Sequence, residues 1–377
     1  MLTRLYVDGF KNLRDTEIRF GPLTCIAGGN GVGKSNVFDA IRFLSGLSDR
    51  SLMEAASGVR GGERLENLFG RDGDHRMVLE CDMLIPATGV DEFNQPAEAT
   101  DTWLTYRRLL QLEPSALRRP DELHAPAVMS SDGQHLPALL HRLAQDQRVL
   151  AGRPAGVLEA ELANRLAELV EDVRAVRVER DEVRQVLQLV MEDRGGVVLP
   201  AASLSDGTLR FIALAALERD PEGEGVLCLE EPENGIHPGR ISAMLQLLRD
   251  IAVDPTEPAD EANPLRQVIV TTHSPLVARG VRGDELVLAS RQDVRRDGGR
   301  LAPGLVFRGL ERTWRAKPWQ DGGSSVEVVA LPTLCAYLEA DGDAEFDREG
   351  DIAADDRLTV RKHVEQLQLE FTLGAAE

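Results

Sequence analysis

The eight residues Gly28-Gly29-Asn30-Gly31-Val32-Gly33-Lys34-Ser35 constrain this chain more than any other stretch. They fit G-x-x-x-x-G-K-[S/T] and lie between an apolar run, LTCIAG (23–28), and the segment NVFDAIRFLSG (36–46), which puts Val37, Ile41 and Leu44 on one helical face. A strand, a glycine loop and a helix in that order turn successive backbone N–H groups toward an anion, and the helix adds the positive end of its dipole. In this setting Lys34 reaches the β- and γ-phosphates of a nucleotide, the Ser35 hydroxyl ligates Mg²⁺, and Asn36 continues the cradle into the helix. Composition sharpens the point. Of 43 basic residues only Lys11, Lys34, Lys317 and Lys362 are lysines, so a lysine at the motif's fixed position is not background usage.

A second apolar run, Val226-Leu227-Cys228-Leu229, ends in the paired carboxylates Glu230 and Glu231. A buried strand can set acids at its C-terminal edge beside a phosphate loop: the first suits a metal held through water, the second an attacking water that needs a proton acceptor. Upstream, Leu204-Ser205-Asp206-Gly207-Thr208 opens a helix with a Ser cap; alone, such a turn is common. His273 closes a further apolar strand in TTHSP, and a lone histidine is more often structural. His75, His124, His135, His141 and His363 show no ligand spacing.

Along the rest of the chain, strands are expected at 2–8, 16–20, near 76–85 and near 102–112, with proline-punctuated loops over 85–135. Residues 136–172 read as helix, with Leu158, Leu162, Leu166 and Leu169 as a core stripe. Residues 173–199 read as a strand pair closed by Gly195-Gly196. From 204 the order is turn, helix (208–219), strand (226–229), helix (239–251), acidic loop (252–264) and strand (267–272), an alternation that predicts an α/β fold with a mixed, largely parallel sheet flanked by helices. The net charge of −20 disfavours non-specific binding to nucleic acid or membrane. Arg174, Arg177, Arg180 and Arg184 are interleaved with Glu179, Asp181 and Glu182, the pattern of a solvated face. The four scattered cysteines suggest neither disulfides nor zinc, and no apolar run approaches a membrane span. The expectation is a cytoplasmic chain with no membrane partner.

Taken together, GFKNLRD (9–15), the phosphate loop, LSDGTLRF (204–211), LEEPENGIHP (229–238) and TTHSP (271–275) resemble the ABC-type P-loop ATPases. The likeness is strongest to the RecF/SMC/OLD-like branch and its compact AAA_21/AAA_15 members, over about 1–50 and 195–290. The resemblance implies an ABC-type ATPase head over 1–290, with an irregular insertion at about 55–200 and an extension of unknown role at 291–377. It implies Mg²⁺-dependent hydrolysis of ATP, with Lys34, Glu231 and His273 catalytic, Ser35 and Glu230 on the metal, and Lys11 near the phosphates. Glu230 departs from the aspartate usual at its position. Ser205 and Gly207 would contact the γ-phosphate from a second subunit, so a homodimer or higher oligomer is implied, with a protein effector in trans and DNA as a partner the family allows. DNA repair or anti-phage defence is the process this suggests. Two other readings compete. Transporter subunits read LSGGQ and DEATSALD, unlike LSDGT and EEPENGIHP here, and an OLD-like nuclease needs more framework than Asp341-Gly342-Asp343 provides. No Q-loop glutamine is identifiable.

Overall fold

The computed structural model describes residues 1–48, 50–70, 76–84, 109–110, 112–149, 152–170, 172–223, 225–260, 262–295, 301–316 and 328–339. The chain begins with β1 (Leu2–Asp8), β2 (Thr16–Arg19), β3 (Leu23–Ala27), α1 (Ser35–Leu47), α2 (Leu52–Ser57) and β4 (Val78–Met83). It continues through β5 (Leu109–Leu110), α3 (Pro114–Leu117), β6 (Asp121–Glu122), α4 (Leu136–Val149), α5 (Val157–Ala167), β7 (Val173–Asp181), β8 (Val186–Asp193) and β9 (Val198–Pro200). Then follow α6 (Asp206–Arg219), β10 (Gly225–Glu230), α7 (Ile241–Ile251), β11 (Arg266–Thr272), α8 (Pro275–Gly280), β12 (Leu286–Arg295), β13 (Leu301–Gly309) and α9 (Leu331–Glu339). These elements form two compact units, Leu2–Met83 with Val270–Glu377, and Met1 with Leu84–Ile269.

In the first unit β2, β1 and β4 make an antiparallel sheet. Strand β3 runs parallel to β12, which turns back antiparallel into β13. Every residue of β3 is buried, as is every residue of β11. The apolar centres of both strands suit cover on both faces, and neither shows the alternation of a half-exposed strand, although β11 also buries Arg266, Gln267, Thr271 and Thr272. Helix α1 carries Val37, Phe38, Ala40, Ile41 and Phe43 inward, so of the face read from the sequence Val37 and Ile41 are packed while Leu44 is half-buried.

In the second unit β10 pairs in parallel with β5, and β7, β8, β6 and β9 form an antiparallel sheet. Helix α6 is buried along nearly all its length, through Leu209, Phe211, Ile212, Leu214 and Leu217. Helix α7 instead shows a clean apolar stripe of Met244, Leu245, Leu248 and Ile251. Mixed strand directions with flanking helices give the α/β class expected from the alternation of elements.

Two local expectations are corrected. The single helix expected over 136–172 is two, α4 and α5, because Gly152 and Gly156 adopt φ of 61° and 87° around Pro154 and the chain cannot continue an α-helix through them. The leucine stripe survives in the second helix, where Leu158, Leu162 and Leu166 are buried. The β7–β8 hairpin is not closed by Gly195-Gly196. Its turn is Glu182–Gln185, where the Asp181 carboxylate accepts from the N–H groups of Val183 and Arg184 and Gln185 takes φ 58°. An Asx turn supplied what the reading assigned to glycine; Gly195-Gly196 turns β8 into β9 instead, with Gly196 N–H bonded to the Asp193 carbonyl. Most of the strand expected near 102–112, and the acidic tail with Asp341-Gly342-Asp343, lie outside the described residues. No helix among the described residues is long and apolar enough to cross a membrane.

Arg315 locks the first unit from within. It is 2% exposed, stacks its guanidinium on Trp314 at 4.4 Å, and donates to the carbonyls of Asp284 and Arg19 and to Thr24 Oγ1. Arg315→Leu leaves the buried Arg19 carbonyl without this donor and removes bonds to Thr24 Oγ1 and the part-buried Asp284 carbonyl. Chemical denaturation is expected to show a loss of about 3 kcal/mol.

Candidate functional site

In the loop between β3 and α1 five of the six carbonyls from Gly28 to Gly33 are bonded, whereas, among the described residues, the amides from Gly29 to Gly33 are not. Lys34 Nζ folds back onto the carbonyls of Gly28 and Gly29 at 2.7 and 2.8 Å. Arg291 on β12 donates to the Gly31 carbonyl, Asn12 Nδ2 to the Val32 carbonyl at 2.9 Å, and the Asn36 N–H to the Gly33 carbonyl. By contrast, the N–H groups of Gly29 to Gly33 bond to no acceptor among the described residues. A concave run of open donors with its acceptors occupied is an anion cradle. The backbone makes it through φ of 73° at Gly31 and 107° at Gly33. At Gly33 a Cβ would also lie 2.0 Å from Asn12 Nδ2, and at Gly28 it would lie 2.5 Å from the Ala289 carbonyl, so both glycines are required by close approach.

Around this loop stand residues that the motif alone does not reveal. Asn12 bridges it to α1, accepting from Asn36 Nδ2 at 2.6 Å. Asp39, 4% exposed on α1, takes an ion pair from Lys11 Nζ at 2.6 Å. Arg60 reaches the same carboxylate at 3.3 Å and also donates to the Ser35 carbonyl at 3.1 Å. Lys11 is therefore held by Asp39 and by the Arg60 carbonyl, and a phosphate contact would require it to leave them. Ser35 is the first residue of α1, and Asn30 and Gly31 are exposed. Strand β11 delivers His273 to the same unit: the Thr272 carbonyl accepts from Gly28 N–H at 3.2 Å, one residue before the histidine.

The carboxylates lie in the other unit. Glu230 ends β10, half-buried. Glu231 follows it with φ 47°, a left-handed backbone that a glutamate adopts at a cost. Its side chain is aimed by Asn234, whose Nδ2 donates to Glu231 Oε2 at 2.7 Å. The next turn of this loop reaches the Ser205 helix, since a Cβ on Gly207 would stand 3.8 Å from the carbonyls of Asn234 and Gly235. Ser205 caps α6 as expected, accepting from Thr208 N–H at 3.1 Å. Arg118 fixes this entry by donating to the Leu204 carbonyl and the Asp206 carboxylate, and no sequence signal marked it.

Each unit thus gathers its own part. Lys34, Ser35, Asn36, Lys11 and His273 accompany the loop of Gly28, Gly29, Asn30, Gly31, Val32 and Gly33, whereas Glu230, Glu231, Ser205 and Gly207 share the second unit. The arginines of β7 are answered by acids, Arg174 and Arg177 by Glu192 and Arg180 by Glu182. Among the described residues no cluster of three or more His, Cys, Asp or Glu could hold a metal. Ser35 in the first unit and Glu230 in the second each offer an oxygen donor of the hard kind that Mg²⁺ favours.

Known proteins share the family, short stretches of sequence and the fold of this chain. A family model described as "AAA_21: AAA domain, putative AbiEii toxin, Type IV TA system" matches residues 23–279. The DNA replication and repair protein RecF of Porphyromonas gingivalis is 34% identical over 71 residues, 19% of this chain and 20% of RecF. The DNA repair protein RecN of Xylella fastidiosa is 41% identical over 68 residues, 18% of this chain and 11% of RecN. The chain therefore spans a fifth or less of the length of these curated relatives. Among solved structures, an SMC head bound to the C-winged helix domain of ScpA superposes with a TM-score of 0.51 at 15% identity, covering 83% of this chain and 99% of that one. An SMC head from Pyrococcus furiosus gives 0.50 at 13% identity, covering 82% and 97%. The fold is that of an SMC-like P-loop ATPase head.

If the positive φ of Glu231 is strain, relieving it stabilises the protein. Glu231→Gly is expected to raise unfolding free energy by about 0.5–1 kcal/mol in denaturant titration, although it forfeits the Asn234 hydrogen bond. Asn234→Ala loses the same hydrogen bond without altering the backbone at 231, so a Glu231→Gly variant less stable than Asn234→Ala would show that the backbone there is not under tension.

Proposed function

Since the chain belongs to the AAA_21 family of AAA-type ATPase domains, we propose that it binds ATP with Mg²⁺ at Gly28–Ser35, hydrolyses it, and uses the cycle to close and open a dimer that controls a separate effector. The observation that carries this reading is the cradle itself: open amides from Gly29 to Gly33, carbonyls already bonded, and a buried ammonium at Lys34. Phosphate oxygens accept from those amides, and the Lys34 ammonium is released from two carbonyls onto the β- and γ-phosphates. Ser35, and Glu230 through water, would hold Mg²⁺, which would supply positive charge against the phosphates. Glu231 takes the proton of the attacking water, and Asn234 keeps its carboxylate aimed. His273 donates to the γ-phosphate from the end of β11.

Ser205 and Gly207 serve the second copy in this proposal. A capped helix N-terminus supports an anion, and γ-phosphate is the contact that distinguishes the closed dimer from the open one. The RecF and RecN relatives are named for DNA repair, which supports a process in which DNA or a DNA-bound partner is handled. The SMC head seen with ScpA supports a protein partner in trans. An intracellular, anti-phage setting is consistent with the family description.

Three variants test the scheme. Lys34→Ala removes the phosphate-neutralising charge and is expected to abolish turnover; wild-type rates would refute the site. In Glu231→Gln, nucleotide binding should persist while turnover falls by roughly 100-fold or more, with dimer accumulating on ATP in sedimentation. Ser205→Arg should leave binding intact yet block turnover, and mixing it with Lys34→Ala should return part of the activity from one rebuilt site per heterodimer. A sedimentation profile of Glu231→Gln indifferent to ATP would dismiss the dimer switch while leaving the nucleotide site standing.

A further inference from the structure

Asn12 stands at the tip of a turn held by three backbone hydrogen bonds. Leu13 N–H returns to the Phe10 carbonyl at 2.8 Å, Gly9 N–H to the Leu13 carbonyl at 3.1 Å, and Lys11 N–H to the Leu68 carbonyl at 2.8 Å. Phe10 and Leu13 are fully buried, and Lys11 takes φ 52°, a left-handed backbone that a lysine adopts at a cost. The turn thus offers α1 two tip side chains from a firm base. Lys11 bonds to Asp39 and Asn12 to Asn36, residues three apart on one helix face.

The other bond of Asn12 is to the phosphate loop. Its Nδ2 donates to the Val32 carbonyl at 2.9 Å, while its Oδ1 accepts from Asn36 Nδ2 at 2.6 Å. A carbonyl only accepts, so the Asn12 amide has one sense here and Asn36 must present its nitrogen. The peptide carrying that carbonyl is Val32–Gly33, and its N–H is one of the open donors of the cradle. Glycine takes φ of either sign, so Gly33, at φ 107°, does not oppose rotation of this peptide. Rotation would turn the Val32 carbonyl toward a bound anion and the Gly33 N–H away from it. The peptides on either side are protected by their own side chains. Rotating Gly31–Val32 or Gly33–Lys34 would force Val32 or Lys34 to positive φ, which a side chain disfavours. Asn30–Gly31 shares the freedom at the exposed tip of the loop, whereas Val32–Gly33 has it where α1 begins.

We propose that Asn12 is a positioning residue for the nucleotide: by holding the Val32 carbonyl, it keeps the Gly33 N–H aimed at the phosphates. This rests on Gly28–Ser35 being the ATP site proposed above. Asn12 meets the loop from the carbonyl side with both ends of its amide in use, so it acts through the peptide and not on the phosphate. Asn12→Ala removes the donor and leaves the peptide to sample both orientations, one of which sets a carbonyl against the anion. Asn12→Asp goes further. A carboxylate only accepts, so it repels the Val32 carbonyl and draws the Gly33 N–H out of the cradle.

Val32–Gly33 is the one Val-Gly pair in the sequence, so carbonyl-¹³C valine with ¹⁵N glycine gives a single amide resonance from this peptide in the full chain. Without nucleotide, both variants should move the Val32 carbonyl resonance upfield, the direction for a carbonyl that loses a hydrogen bond. In calorimetry with ATP and Mg²⁺, both should bind about tenfold more weakly or worse, Asn12→Asp being the weaker. Packing alone predicts the reverse order, since aspartate is nearly isosteric with asparagine and alanine is not. That near-isostery also keeps the test valid should Asn12→Ala not fold, and Asn12→Ala separates the lock from simple repulsion because it adds no charge. An unmoved Val32 carbonyl resonance, or wild-type ATP affinity in either folded variant, overturns the proposal alone. A wild-type chain that binds no ATP instead sinks the reading of the site, and the proposal with it.

Discussion

The phosphate loop depends on keeping its carbonyls occupied. Five backbone oxygens between Gly28 and Gly33 are taken by Lys34, Arg291, Asn12 and the first turn of α1. Without those donors the loop amides and carbonyls would compete, and a peptide loop folding on itself would close the cradle. The donors come from β12, from the turn after β1 and from α1, so the burial of β3 and α1 serves to hold three distant segments in register around seven residues of backbone. Lys34 has two successive tasks in this scheme. Bonded to Gly28 and Gly29 it keeps the empty loop open, and the same flexible stem lets it exchange those carbonyls for phosphate oxygens of opposite charge.

What could be read in advance followed from how local the physics is. The loop motif, the apolar strands flanking it, the cap at Ser205 and the paired acids at 230–231 are decided within a few residues, and the structure places each in the element expected. Asn12, Arg60, Arg118 and Arg291 were not legible, because each is a single polar side chain whose partner lies far along the chain or on another strand. The string GFKNLRD points by resemblance to Lys11, whereas its neighbour Asn12 is the residue that bonds to the loop. The two corrected elements fail for a related reason. Apolar spacing continues across Gly152–Gly156 as though the helix did, and an Asx turn at Asp181 leaves no glycine to mark it.

The acids also show why sequence spacing understates a site. Glu231 is held at φ 47° in the residue after the strand, and the chain tolerates that because the following turn is pinned at several points. Asn234 N–H returns to the Glu231 carbonyl, Asn234 Nδ2 holds the carboxylate, and Ile236 N–H bonds to the Glu233 carbonyl. The carboxylate's direction is thus set by a tight turn more than by its own rotamer freedom. Tension of this kind persists only where surrounding bonds over-determine it.

That same turn runs under the capped helix. Gly207 has no side chain, and the carbonyls of Asn234 and Gly235 stand against it at the distance a Cβ would just touch. Ser205, Gly207, Asn234 and Glu231 therefore lie along one short stretch of a single unit, with the start of α6 beside the turn whose Asn234 holds the Glu231 carboxylate. In the dimer proposed above, a second copy's γ-phosphate at Ser205 would act on the segment beside the turn that aims Glu231. The two sites of a closed dimer would then be coupled through a path of four residues, with Arg118 as the anchor that decides how far α6 can move. Coupling of this sort needs no large rearrangement, because a hydrogen bond of 2.7 Å to a carboxylate tolerates only small displacements before it weakens.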